Sequence, residues 1–151
     1  CCVCFEDECD DTNPFVYCDG PDCEVIVHRE CYGLSKCPGK SDDWFCDRCE
    51  AVKENPKTIV ACALCPDIRG AFRKLEHPLF GVEWTHIACA VWVPEVDIGN
   101  AQTISKITLD NVPLSAWKGR CGVCEEPMYA QYGASVKCSA TSCDERFHVT
   151  C

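Results

Sequence analysis

The sequence has no stretch of 18 apolar residues, which excludes a membrane-spanning helix; its start lacks the basic-then-apolar layout of a secretory leader, which leaves a mature secreted protein open. Aromatic residues are only 9% of the chain, and polar residues interrupt every apolar run, which argues against a single large hydrophobic core. No Ser-His-Asp set, phosphate-cradling glycine loop or His-Glu-x-x-His motif occurs, so nothing points to an enzyme. What the 151 residues do have is cysteine, 18 in all, far above ordinary usage. Something other than burial must supply much of the stability. A start at Cys1 without methionine and an end at Cys151 read as a piece of a longer chain.

The cysteines are arranged for metal and not for disulfides. Cys-x-x-Cys pairs occur at Cys1/Cys4, Cys46/Cys49, Cys62/Cys65 and Cys121/Cys124, and His-x-x-Cys pairs at His28/Cys31, His86/Cys89 and His148/Cys151. Each pair lets two donors converge on one ion from a single tight turn, and mixed sulfur and imidazole donors select tetrahedral zinc. A disulfide framework has no need of histidine at such spacing. Reduced thiolates imply an intracellular compartment. Sets of four protein donors leave no open position for a catalytic water, so the ions are expected to be structural and the chain not an enzyme.

An internal repeat fixes the donor list. Cys1, Cys4, Cys18, Cys23, His28 and Cys31 recur, each displaced by 120 positions, as Cys121, Cys124, Cys138, Cys143, His148 and Cys151. The first copy continues to Cys46 and Cys49; between the copies stands a separate set, Cys62, Cys65, His86 and Cys89. Cys2 aligns with Gly122 and Cys9 with Tyr129, so these two, together with Cys37, read as free thiols.

Four cysteines, a histidine and three cysteines, with Trp44 two residues before Cys46, resemble a PHD finger rather than a RING finger, whose histidine stands earlier. The whole chain resembles the PHD finger–zinc knuckle–extended PHD finger cassette of bromodomain–PHD-finger scaffolds, Jade proteins and AF-type leukaemia fusion partners. The likeness rests on Cys1-Cys2-Val3-Cys4, Val16–Gly20, Val27–Gly33, Trp44-Phe45-Cys46, Cys62–Pro66, Trp84–Ala90, Val93–Val96 and Phe147–Cys151. It implies small, loop-rich, zinc-stabilised α+β modules: finger 1 over 1–50, a linker over 51–58, the knuckle and its connecting segment over 59–117, and the first part of finger 2 over 118–151.

The resemblance also implies a cross-brace, with Cys1, Cys4, His28 and Cys31 on one zinc and Cys18, Cys23, Cys46 and Cys49 on the next. The knuckle holds a third, and Cys121, Cys124, His148 and Cys151 a fourth. Cys138 and Cys143 are left as half of a fifth site, since the family's last two donors are not in this sequence. Trp44 is expected to fill the space between the two ions of finger 1. Glu50–Lys57 reads as a short linker with room for one helical turn, Ile104–Leu109 as a strand, and Thr85–Val93 as a helix that presents His86 and Cys89 and stops before Pro94.

Charge separates the two fingers. Residues 1–49 carry 12 acidic and 4 basic side chains, residues 50–116 carry 8 and 6, and residues 117–151 carry 4 and 4. A strongly acidic finger disfavours DNA and suits a basic peptide. The short β-prone run Asn13–Cys18, with Phe15, Val16 and Tyr17, offers an edge for an added strand, and Glu6, Asp7, Glu8, Asp10 and Asp11 stand just upstream. In the second copy Asp7, Glu8, Asp10, Asp11 and Asp19 become Pro127, Met128, Ala130, Gln131 and Ser139, so that finger cannot bind a partner in the same way. Fingers similar to this one bind the histone H3 amino-terminal tail. By that resemblance Asp19 contacts arginine, carbonyls at Pro38 and Gly39 receive the terminal amine, and the upstream carboxylates favour unmodified lysine. Other members read an internal H3 segment across the whole cassette or use the second finger on DNA; Lys118, Arg120, Lys137 and Arg146 are its only cations. The proposed partner and the family imply a nuclear location among other chromatin-complex subunits.

Overall fold

Donor-bearing turns separate strands and helices that are all short, and the computed structural model describes residues 1–39 and 41–151. β1 (Phe15–Tyr17) pairs antiparallel with β2 (Ile26–His28), placing Val16 opposite Val27, both buried. Helix α1 (Asp47–Glu54) starts at Cys46 as N-cap, with Asp47 and Glu50 in its first turn, where the helix dipole favours anions. It therefore begins inside the fourth donor pair and takes up most of the segment read from sequence as a linker.

The middle of the chain is a four-stranded sheet in the order β4-β3-β6-β5. β3 (Phe72–Leu79) and β4 (Val82–His86) form a hairpin closed by Phe80 and Gly81, both at positive φ as a two-residue hairpin turn demands. Pro78 lacks an N–H for the ladder, and the pairing slips between Lys74 and Leu79. β6 (Ser105–Thr108) runs parallel to β3 through Leu75 and Ile107 and antiparallel to β5 (Asp97–Asn100), within the strand expected over Ile104–Leu109.

Helix α2 (Ile87–Trp92) is shorter than the expected Thr85–Val93. Thr85 and His86 stay extended because they pair with Arg73 and Phe72 on β3. His86 becomes the N-cap, and Cys89 lies on the first turn. The last part of the chain holds α3 (Leu114–Trp117), α4 (Pro127–Ala130), and a second small ladder of β7 (Val136–Lys137) with β8 (Arg146–Phe147). This ladder is the first one displaced by 120 residues. None of the described helices is long and apolar enough to cross a membrane.

One expectation is corrected. Most of the buried apolar residues among those described form one connected cluster, from Val3, Val27 and Tyr32 through Phe72, Trp84, Ile87 and Ile107 to Ala134. No unit is rich enough in large side chains to make its own interior, so the pieces press on one another. Glycines make the closest approaches possible: a Cβ on Gly33 would lie 2.5 Å from the Thr103 backbone, and one on Gly133 would lie 2.4 Å from that of Leu64. Both glycines have positive φ, +72° and +71°.

Candidate metal centres and strand edge

Four sets of side chains bring their donor atoms within 4.8 Å of one another: Cys1, Cys4, His28, Cys31; Cys18, Cys23, Cys46, Cys49; Cys62, Cys65, His86, Cys89; and Cys121, Cys124, His148, Cys151. Among the described residues no cysteine is in a disulfide. In the first finger the sets interleave along the chain, pairs one and three against pairs two and four. Three sets offer three sulfurs and a nitrogen, and one offers four sulfurs. Soft donors converging in fours suit a tetrahedral ion of the zinc class, and no carboxylate stands in any set.

The histidines are held alike. Nδ1 of His28, His86 and His148 faces a sulfur, at 3.3 Å from Cys4, 3.1 Å from Cys65 and 3.4 Å from Cys124. Nε2 of each lies against a main-chain carbonyl, at 2.7 Å from Glu8, 2.6 Å from Arg69 and 2.6 Å from Tyr132. A carbonyl can only accept, so Nε2 carries the proton and donates, which leaves the Nδ1 lone pair aimed at the sulfurs. Three distant carbonyls thus set three rings in the orientation a metal needs.

One sulfur of each set is also solvated by main chain. Cys1, Cys62 and Cys121 accept the N–H of His28, His86 and His148, and Cys18 accepts that of Cys46 at 3.2 Å. Burial alone would raise these thiols, yet hydrogen bonds outweigh it and hold Cys18, Cys62 and Cys121 below the usual thiol range. Their set partners go the other way. Burial, with the negative charge of neighbouring sulfurs, pushes Cys31 up to about 11 and Cys49 and Cys151 to about 12. Three of the sets thus favour one thiolate, at Cys18, Cys62 or Cys121, and disfavour another, at Cys49, Cys89 or Cys151, until a cation arrives.

Cys138 and Cys143 join no set of three or more among the described residues. They nevertheless repeat the turn of Cys18 and Cys23: Cys143 N–H donates to the Ala140 carbonyl at 3.1 Å, as Cys23 N–H donates to that of Gly20 at 3.1 Å. One difference between the turns bears on the fourth donor pair. A Cβ on Gly20 would sit 2.4 Å from Cys49 Sγ, and the corresponding Ala140 carries that Cβ.

Cys9 is exposed, and Cys2 and Cys37 are half-buried. Trp44 is also half-buried, its ring edge-on to Tyr32 at 4.8 Å. The fully buried aromatic next to both donor sets of finger 1 is Tyr32, which follows Cys31 in the chain. Its hydroxyl donates to the Asp47 carboxylate at 2.8 Å and accepts the Asp47 N–H at 2.7 Å. Tyr32, Asp47 and Arg73 lie 15 to 41 positions apart, so no local sequence pattern joins them.

β1 has one partner. Cys18 N–H reaches the Val25 carbonyl and Arg29 N–H the Pro14 carbonyl, so alternate residues face β2 and the main chain of Phe15 and Tyr17 faces outward. The far side of β2 is covered where Cys2 N–H donates to Ile26. Glu6, Asp7, Glu8, Asp10 and Asp11 are all exposed in the segment that leads into the strand. Asp10 also closes its own turn, accepting from Thr12 N–H and hydroxyl and from Asn13 N–H, which lowers its carboxyl. Asp19 is exposed and accepts the Trp44 N–H on one oxygen at 2.8 Å, leaving the other. The Gly39 carbonyl accepts the Asp42 N–H at 3.0 Å.

Comparison with known proteins follows the same division. Residues 60–151 match the family described as PHD-zinc-finger like domain, and residues 12–50 match PHD-finger. Zinc finger protein zfp-1 of Caenorhabditis elegans is 37% identical over 158 residues, covering 100% of this chain and 18% of that protein. Human Protein AF-17 is 38% identical over 154 residues (100% and 13%), and bovine Protein Jade-1 is 39% identical over 152 (100% and 27%). The chain therefore spans less than a third of each of these relatives. The crystal structure of zebrafish PHF14-PZP superimposes with a TM-score of 0.77 at 33% identity, covering 100% of this chain and 72% of that one.

Proposed function

Since the chain belongs to the PHD-zinc-finger-like family, in the arrangement of PHD finger, zinc knuckle and extended PHD finger, we propose that it is a zinc-built chromatin reader that takes the histone H3 amino-terminal tail on finger 1 with its lysine unmodified. Finger 1 is residues 1–50, the knuckle with its connecting segment 59–117, and the part of finger 2 present here 118–151. Zinc is the ion for the four sets, and its role is to tie turns together.

The observation that carries the reading is the open outer edge of β1, with five exposed carboxylates at its upstream end. An extended peptide completes the ladder at Phe15 and Tyr17, and an ammonium group then meets Glu6, Asp7, Glu8 and Asp11. An unmodified lysine donates three hydrogen bonds there, and a trimethylated one donates none. A trimethyl-lysine reader needs several free aromatic faces. Here one face of Phe15 is covered by the His28 ring at 4.5 Å, and Tyr17 stands 6.5 Å away, edge-on. DNA contact by the second finger has less support. Arg146 donates to the Ser135 hydroxyl and carbonyl, and Lys137 pairs with Asp144 at 2.9 Å. A nuclear location and company in a chromatin complex follow from the reading.

Calorimetric titration of the zinc-loaded chain with H3-tail peptides tests it. Trimethylation of the lysine should weaken binding about tenfold or more, the loss of one charge-assisted hydrogen bond of about 1.5–3 kcal/mol. Equal or tighter binding of the trimethylated peptide overturns the lysine assignment; no binding of either overturns the reader.

Metal loading has its own signature. Cys31, Cys49 and Cys151, pushed up to about 11, 12 and 12, hold their protons at neutral pH. Zinc takes the thiolate, so loading releases protons, and acid competes. Apparent affinity should fall about tenfold per pH unit for each proton displaced. A pH indicator in weakly buffered solution should register more than one proton per zinc bound; none would mean that thiolates are not the ligands.

A further inference from the structure

We propose that the cleft between finger 1 and the β5–β6 turn is a second subsite for the same peptide and takes the uncharged polar residues that follow its lysine; this rests on the tail-binding reading above. The cleft encloses about 440 Å3, with Glu30 and Ser35 on the finger side and Gln102 and Thr103 on the turn side. Its two walls meet in close backbone contact. Gly33 brings its backbone against that of Thr103 so closely that a methyl group there would lie 2.5 Å away. The turn is itself pinned, since Asn100 Oδ1 accepts the N–H groups of Gln102 and Thr103 at 3.1 and 3.3 Å, and the Thr103 and Ser105 hydroxyls bond at 2.7 Å.

Its position is what connects it to β1. A peptide whose amino end lies toward Asp19 and whose lysine lies toward the upstream carboxylates runs antiparallel to β1 and leaves the ladder at Asn13–Pro14. That end of the strand is bonded directly to the cleft wall. Arg29 N–H donates to the Pro14 carbonyl at 3.0 Å, Glu30 N–H to Asn13 Oδ1 at 2.9 Å, and Arg29 Nη2 to the Thr12 carbonyl at 3.0 Å. A chain turning around Asn13–Pro14 enters the cleft within two or three residues, at ~3.3–3.6 Å per residue.

The chemistry of the walls sets the class of residue. Arg29 Nη2 also pairs with Glu30 at 2.6 Å, and its Nη1 donates to the carbonyl of Leu34 at 3.2 Å, so the charges of the wall cancel and both terminal nitrogens of the guanidinium are engaged. What remains is a hydroxyl at Ser35, an amide at Gln102 and exposed main chain. Such a surface suits main-chain groups and hydroxyl or amide side chains, in contrast to the acidic loop that suits the lysine.

The test uses the zinc-loaded chain and two unmodified tail peptides with the same amino end, one of about six residues and one of about twelve, sized by the reach of extended chain. The longer peptide should bind about fivefold tighter or better, as expected when a linked segment adds contacts. Gln102→Trp and Ser35→Trp fill the cleft from opposite walls. Each should bring the longer peptide down to the affinity of the shorter and leave the shorter unchanged. Equal affinities in the unaltered protein would sink the subsite and spare the reader, as would a length effect that both variants preserve. Variants that weaken both peptides alike would sink it too, because the cleft would then act on the strand edge. If neither peptide binds the unaltered protein, the reader itself fails.

Discussion

Withdrawal of the metal by a strong chelator should unfold all of the chain. Strands of two to eight residues and helices of four to eight are too short to persist alone, because a helix of this length does not recover its cost of nucleation. The apolar cluster is continuous but threads between the donor sets, and Cys18, Cys46, Cys62, Cys65 and Cys89 are members of it. Structural zinc sites contribute about 10–16 kcal/mol each, against a net stability of about 5–15 kcal/mol for an ordinary domain. Loss of one central site therefore exceeds what the rest can supply. All four donors of the middle set are buried, and both fingers lean on that unit, through Gly33 on Thr103 and Gly133 on Leu64. His86→Ala should thus abolish the cooperative transition of the whole chain. Cys151→Ala, at an exposed donor of the last set, should disturb mainly the β7–β8 region. Circular dichroism with and without chelator reads the first effect. A metal-free chain that melts cooperatively at an unchanged temperature would show that the thiols pack and do not ligate.

The donor sets were legible because their information is local. Two donors three residues apart need only a tight turn, and the 120-residue repeat marks which cysteines matter, so Cys2 and Cys9 could be set aside from sequence alone. What links the sets is not local. Thr85 and His86 belong to a helix by spacing and to β4 in fact, because pairing with Arg73 and Phe72 outweighs propensity. Helix α1 starts earlier than composition suggests because Cys46 serves both as donor and as N-cap. The connected interior was invisible for a similar reason. Low aromatic content limits how much each unit can bury, but it does not say that units at a distance in sequence will share what they have. The carbonyls of Glu8, Arg69 and Tyr132 that orient the three imidazoles leave no mark at all, since any residue supplies a carbonyl.

Arg73→Met should cost about 2–4 kcal/mol and loosen finger 1 from the knuckle, the range for removing one partner of a largely desolvated pair. Arg73 projects from β3 of the knuckle into finger 1. One guanidinium nitrogen pairs with the Asp47 carboxylate, another donates to the Tyr32 carbonyl at 2.6 Å, and the plane lies over the Tyr32 ring, 4.1 Å from its centre. Burial, then the Asp47 charge, push the Tyr32 phenol well above its usual range, so the hydroxyl remains a donor to that carboxylate. Without Arg73 the carboxylate keeps only the tyrosine hydroxyl, at a place where side-chain exposures are 14% for the arginine and 31% for the aspartate. Methionine keeps much of the volume, so the loss reports charge and hydrogen bonding more than packing. The pair can be isolated with a double-mutant cycle: Asp47→Asn alone should destabilise, and Asp47→Asn with Arg73→Met should recover part of the sum, because the uncompensated charge is gone. The donor sets are untouched by either change, so zinc content should stay constant while hydrogen exchange at Tyr32 and along β3 speeds up. If Arg73→Met shifts stability by less than about 0.5 kcal/mol, the ordinary range for a surface substitution, the contact is incidental and the fingers are joined by backbone packing alone.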